Sequence, residues 1–89
     1  MGIIENFEAM LAAGQDSALL RYTLGGAYLK EKRYAPAIEH LRKAVELDPE
    51  YSAAWKSLGK VLAEAGERAE AVSAYRQGVE VAERRGDKQ

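Results

Sequence analysis

Sliding the chain along itself by 34 residues lays Gly25 on Gly59, Leu24 on Leu58, Ala37 on Ala71, Leu41 on Tyr75 and Val45 on Val79. The segments YTLGGAYLKEKRYAPAIEHLRKAVELDP and KSLGKVLAEAGERAEAVSAYRQGVEVAE are therefore siblings. Self-similarity at such a period marks one supersecondary unit, repeated so that each copy buries its apolar face against the next. The offset also reaches backwards. Ile3 takes the place of Ala37, Phe7 that of Leu41 and Met10 that of Ala44, so the first segment reads as the second half of a preceding unit.

Local signals make the unit a helical hairpin. Ile3, Ile4, Phe7, Met10 and Leu11 fall on one helical face. Gly14 is a natural stop for that helix, and Ser17 a natural N-cap for the next. A second helix carries Leu20, Leu24, Tyr28 and Leu29 up to the polar break KEKR. Pro36 suits the first turn of a third helix, where its missing N–H has no intrahelical partner to lose. That helix holds Ala37, Ile38, Leu41, Ala44, Val45 and Leu47, and Asp48-Pro49 ends it. A fourth helix is expected from about Ser52 to Ala65 and a fifth from about Arg68 to Arg84 or Arg85, stopped by Gly66 and Gly86. No segment alternates as a half-buried strand does. The predicted class is all-α, with five helices and short turns that make neighbours antiparallel. Lys32 stands where Gly66 stands in the other unit. Lysine is unfavourable in left-handed geometry, so that turn is expected to be strained or differently shaped.

These residues resemble the tetratricopeptide repeat (TPR) family. Its signature sets a bulky residue, Leu-Gly, an aromatic, Ala, an aromatic, Ala and Pro at fixed spacings. Here they fall on Trp55, Leu58, Gly59, Leu62, Ala71, Tyr75, Gly78 and Glu83, and one unit earlier on Arg21, Leu24, Gly25, Tyr28, Ala37, Leu41, Ala44 and Pro49. Arg21, Leu62, Gly78 and Glu83 depart from the pattern. The resemblance implies a right-handed solenoid over residues 1–89: a half repeat in 1–17, full repeats in 18–51 and 52–85, and a tail in 86–89. It also explains a glycine in mid-helix, which on propensity alone costs about 1 kcal/mol relative to alanine. The two helices of a hairpin cross closely there, so Gly59 is expected to face Ala71, and Gly25 to face Ala37. Trp55 is read as a wedge between helices, and Gly26 has no packing role in the pattern.

The remaining totals narrow the function. Thirteen basic and fourteen acidic residues nearly cancel, which argues against nucleic acid or an anionic membrane as partner. The absence of cysteine excludes disulfide and cysteine-zinc scaffolds and suits a reducing compartment. No run is long enough to span a bilayer. The start MGIIENFEAMLAAG lacks the basic region of a signal peptide, and Asn6 breaks the myristoylation pattern. The expectation is a cytoplasmic protein. The lone histidine, His40, reads as a surface or satisfied residue, because a general acid or base needs a positioned partner. Glu80 and Glu83 sit at helical spacing near Arg76, Arg84 and Arg85, as an ion-paired solvated face would. Leu24-Gly25-Gly26 lies inside a helix without the lysine of a phosphate loop. No catalytic, metal or cofactor constellation is expected, and the chain is read as non-enzymatic.

Two surfaces remain as candidates. The TPR resemblance implies a concave face for a peptide or partner helix, and the residues expected to work there are Tyr22, Leu29, Lys30, Lys56 and Lys60. Lys56 and Lys60, one turn apart, could share one carboxylate of an acidic partner. The alternative is self-association through exposed terminal helices, with Val72, Tyr75, Val79 and Ala82 as the expected contact, or a fragment of a longer repeat scaffold. GDKQ is too short to cover that stripe.

Overall fold

Residues 2–86 are described by a computed structural model. Ser17 opens the first complete hairpin. Its hydroxyl accepts the Leu20 N–H at 3.0 Å, supplying a partner for one of the orphan donors at a helix start. The helices are α1 (Ile3–Ala12), α2 (Ala18–Lys30), α3 (Tyr34–Leu47), α4 (Ser52–Glu64) and α5 (Arg68–Arg84). No strand occurs among the described residues. Pro36 sits in the first turn of α3, and Asp48 is the residue at which α3 stops. Of the expected tail, Asp87 to Gln89 lie outside the described residues.

Sequential neighbours pack on one another. α2 pairs with α3 and α4 with α5, while α3 lies on α4 and α1 on α2. The interior is built from repeat-related positions: Leu24 with Leu58, Ala37 with Ala71 and Tyr28 with Leu62, joined by Leu41, Ala44, Val45, Ala54 and Val61. Trp55 is half-buried against this core, and its indole N–H donates to the Pro49 carbonyl at 2.9 Å. That bond pins the start of α4 to the preceding turn.

The turns inside the two hairpins, α2 to α3 and α4 to α5, have one shape. Arg33 N–H reaches the Tyr28 carbonyl at 3.0 Å and Glu67 N–H the Leu62 carbonyl at 2.8 Å. Each is the six-to-one bond of a Schellman cap. Gly66 supplies the positive φ of 89° in one, and Lys32 supplies 59° in the other. The lysine turn is thus strained rather than reshaped: the hydrogen-bond pattern holds Lys32 in the left-handed region.

The expected glycine partners need correction. A Cβ built on Gly25 would lie 2.5 Å from Leu41 Cγ, and one on Gly59 would lie 2.9 Å from three atoms of the Tyr75 ring. Ala37 and Ala71 are not the facing residues. Side chains on a helix lean toward its N-terminus. On α3 and α5 that direction is back toward the hairpin turn. Leu41 and Tyr75 therefore lean onto the glycines, while Ala37 and Ala71 lean past them. The close approach is real, but a large side chain fills the space each glycine leaves.

Candidate partner-binding surfaces

The first surface is a groove of about 420 Å³ between α1 and α2, touching α4 at Ser57. Ile3 and Ile4 form one wall, Tyr22, Thr23 and Ala27 the other, and Lys30 and Glu31 stand at one end. Gly26 lies between Tyr22 and Lys30, one turn from each, and a Cβ placed on it would meet nothing within 4 Å. The pattern that assigns Gly26 no packing role is consistent with this: it leaves the groove open. Tyr22 is held by Tyr51, ring centroids 5.0 Å apart and tilted by 44°. Burial, then the neighbouring Tyr22 and Asp48, raise the Tyr51 hydroxyl above its ordinary value.

Of the residues expected on the concave face, the groove brings together Tyr22 and Lys30. Leu29 is half-buried against the core. Lys56 is half-buried, its stem beside Gly78, where a Cβ would meet Lys56 Cγ at 3.2 Å. Lys60 is exposed. Ile3, Ile4 and Thr23 escaped the sequence reading. The apolar face of α1 was visible, but its meeting with α2 depends on tertiary packing.

Behind the groove lies a polar cluster that sequence reasoning also missed. Asp16 holds Arg21 through two bonds, Nε at 2.9 Å and Nη2 at 3.1 Å. Arg21 Nη1 lies 3.1 Å from Nδ1 of His40. A guanidinium can only donate, so Nδ1 accepts and the ring proton sits on Nε2, which is 3.4 Å from Glu8. The Tyr28 hydroxyl donates to the same Glu8 oxygen at 2.5 Å, and the Tyr28 and His40 rings stack at 5.6 Å. His40 is only 6% exposed, with Nδ1 hydrogen-bonded to Arg21 and Nε2 facing Glu8. The hydrogen bond from Arg21 holds the Asp16 carboxyl below its ordinary value, and reciprocally Asp16 raises Arg21. The bond to Glu8, aided by burial, raises Tyr28. This cluster ties α1 to α2 and α3 and stabilises the wall of the groove. Its one sequence signal is Arg21, which occupies the position that Trp55 fills in the other repeat.

The second surface is the outer face of α5. Val72, Tyr75 and Val79 are exposed by 49%, 41% and 51%, and with Arg76 and Glu80 they line a shallow hollow of about 370 Å³. Ala82 does not belong to it. It is 5% exposed, because it lies eleven residues beyond Ala71, about three full turns along the same buried line. Arg84 pairs with Glu50 at 2.7 Å and Arg85 with the Glu50 carbonyl at 2.7 Å, so these two arginines brace the turn before α4 rather than Glu80 and Glu83.

The family model described as tetratricopeptide repeat matches residues 28–85. The chain belongs to the TPR family. TPR repeat-containing protein PA0015 of Pseudomonas aeruginosa is 51% identical over 87 residues, covering 98% of this chain and 83% of the relative. The solution structure of protein BPP2914 from Bordetella parapertussis is similar, with a TM-score of 0.84 and 48% identity over all of this chain and 77% of that one. The crystal structure of MamA gives a TM-score of 0.87 at 26% identity, over 96% of this chain and half (50%) of that one. TPR repeats generally act as protein-interaction modules. Among the described residues no helix is long and apolar enough to cross a membrane, and no cluster of three or more His, Asp or Glu side chains is placed to hold a metal ion.

Proposed function

We propose that this TPR chain is a non-enzymatic interaction module whose α1–α2 groove holds a short peptide or one face of a partner helix. The observation that carries this is Gly26: the groove has apolar walls from Ile3, Ile4 and Ala27, an aromatic anchor in Tyr22, and open space above a missing side chain. Such a combination suits an apolar anchor residue of the partner. On α4, Lys56 and Lys60 occupy the repeat positions of Tyr22 and Gly26. With Lys30 they favour a partner that carries acidic residues beside its apolar anchor.

Selection of a displayed peptide library on the whole chain tests this. The selected peptides should pair an apolar residue with acidic neighbours. Gly26→Trp fills open space, so it should leave the fold intact while weakening the selected peptides by about tenfold or more. Lys56→Glu with Lys60→Glu should weaken them further and reduce their salt dependence. Peptides that bind Gly26→Trp as well as the unmodified chain would refute the groove as the site, as would a selection that yields none.

A further inference from the structure

The internal repeat states what the outer face of α5 is shaped to meet. Ile38, Leu41 and Val45 on α3 recur as Val72, Tyr75 and Val79 on α5. On α3, Leu41 and Val45 are 0% and 7% exposed, clustered with Ala54 and Leu58 of α4. On α5 the same positions are 41% and 51% exposed. The face that α3 buries under the next helix is the face α5 leaves open. Because α4 follows α3 after the short turn at 48–51, it lies antiparallel on it, and the α5 face is built for an antiparallel helix.

We propose that the occupant is α5 of a second copy of this chain, across a two-fold axis perpendicular to the helices. The charges beside this face are self-complementary, which suits a second copy. Arg76 and Glu80 stand one turn apart along one rim of the hollow. A perpendicular two-fold keeps that rim on the same side of both helices and reverses its direction. With the axis beside residue 78, it brings Arg76 of each copy toward Glu80 of the other, two reciprocal ion pairs beside the facing Val79 side chains. A parallel two-fold would set the two rims on opposite sides of the seam, where Arg76 and Glu80 of one copy reach neither charge of the other. The contact is isologous and closes at two copies. One helix pair, with 17 residues on each side, buries less than the roughly 1,200–2,000 Å² of a standard interface, so the dimer is weak. This inference concerns a surface separate from the groove and stands without it.

Sedimentation equilibrium of the unmodified chain from about 10 µM to about 1 mM should show a monomer–dimer equilibrium, with a dissociation constant above micromolar. Val72→Glu with Val79→Glu changes exposed positions only; it should leave the circular dichroism unchanged and weaken the dimer by about tenfold or more. Arg76→Glu alone should weaken it several-fold, and Arg76→Glu with Glu80→Arg should restore it, since the reciprocal pairs reform with exchanged signs. A monomer throughout the range overturns the proposal, as do oligomers growing beyond two copies. Dissociation by the valine changes without any response to charge reversal overturns the antiparallel pairing and with it the proposal.

Discussion

The ring of Tyr75 lies over Gly59, so close that a Cβ on the glycine would come within 2.9 Å of the ring's base. One repeat earlier Leu41 lies over Gly25 at 2.5 Å. The two contacts are the same position of the hairpin, but their surroundings differ. Leu41 is fully buried, whereas Tyr75 is 41% exposed and has solvent to move into.

Alanine substitution at three of the four helical glycines, Gly25, Gly26 and Gly59, should therefore separate into an order. Helix propensity favours alanine at each by about 1 kcal/mol. At Gly26, with nothing nearby, that gain should appear in full as a stabilisation. At Gly25 overpacking against an immobile Leu41, about 1–3 kcal/mol, should outweigh it and leave a net loss of up to about 2 kcal/mol. Gly59→Ala should fall between them, because Tyr75 can yield, and Gly59→Leu should be destabilising. Urea unfolding measures all of these. A Gly25→Ala protein more stable than the unmodified chain would refute the close crossing.

Lys32 holds a φ of 59° in the turn where its repeat counterpart Gly66 holds 89°. The left-handed conformation costs a non-glycine residue roughly 1–2 kcal/mol, partly offset by the greater freedom that glycine loses on folding. Lys32→Gly should raise stability by about 1 kcal/mol, and Gly66→Lys should lower it by a similar amount. Lys32 contributes only an exposed 4.0 Å ion pair with Glu64, whose loss is small. Equal melting temperatures for the Lys32→Gly and unmodified chains would show that the turn carries no strain.

Helix ends were readable because their causes are local. Ser17, Pro36 and Gly66 each act within one turn of where they stand, and α2, α3 and α4 begin and end within about one residue of the expected points. The repeat made the order of packing readable as well, because every helix has a counterpart. What resisted was long-range or a matter of phase. Glu8, Asp16, Arg21, Tyr28 and His40 are scattered over α1, α2, α3 and a connection, and only the tertiary fold brings them within reach. Ala82 sits near the boundary between the buried and exposed sides of α5, where a small rotation of the helix decides its fate. Tyr22 and Lys30, which the TPR resemblance offers for a concave face, do line this groove, while the walls from Ile3 and Ile4 required α1 to be placed.

The alkaline side of the stability profile should report the Tyr28–Glu8 bond. That bond, with burial, raises the folded Tyr28 hydroxyl above its ordinary 10.0. The folded state therefore holds this proton more tightly than the unfolded state. The resulting stabilisation is complete below pH 10 and is lost as pH rises through the folded value. Tyr51, also raised, adds to the same decline. Tyr28→Phe should lower stability by about 1–2 kcal/mol at neutral pH and flatten the fall above pH 10. Glu8→Gln should do the same more weakly, and the double variant should lose less than the two added together. Strict additivity would show that the two groups do not interact in solution.

The acid side should report Asp16. The hydrogen bond from Arg21 depresses its folded value below the ordinary 3.8. The unfolded state then binds this proton more readily than the folded state does. The stabilisation is present above pH 3.8 and is lost as pH falls through the folded value. Asp16→Asn keeps the size of the side chain but removes its charge. Stability should drop modestly at neutral pH, because Asp16 is exposed and solvent screens the pair. The clearer signature is the slope: the variant should lose less stability than the unmodified chain between about pH 4 and pH 2. Arg21 also anchors His40 Nδ1 at 3.1 Å, so loosening Arg21 should be felt in the ring. The His40 side-chain nuclear magnetic resonance signals should shift in Asp16→Asn although Asp16 does not touch the ring. Unmoved His40 signals together with an unchanged acid slope would show that the Asp16–Arg21–His40 chain of contacts is not maintained in solution.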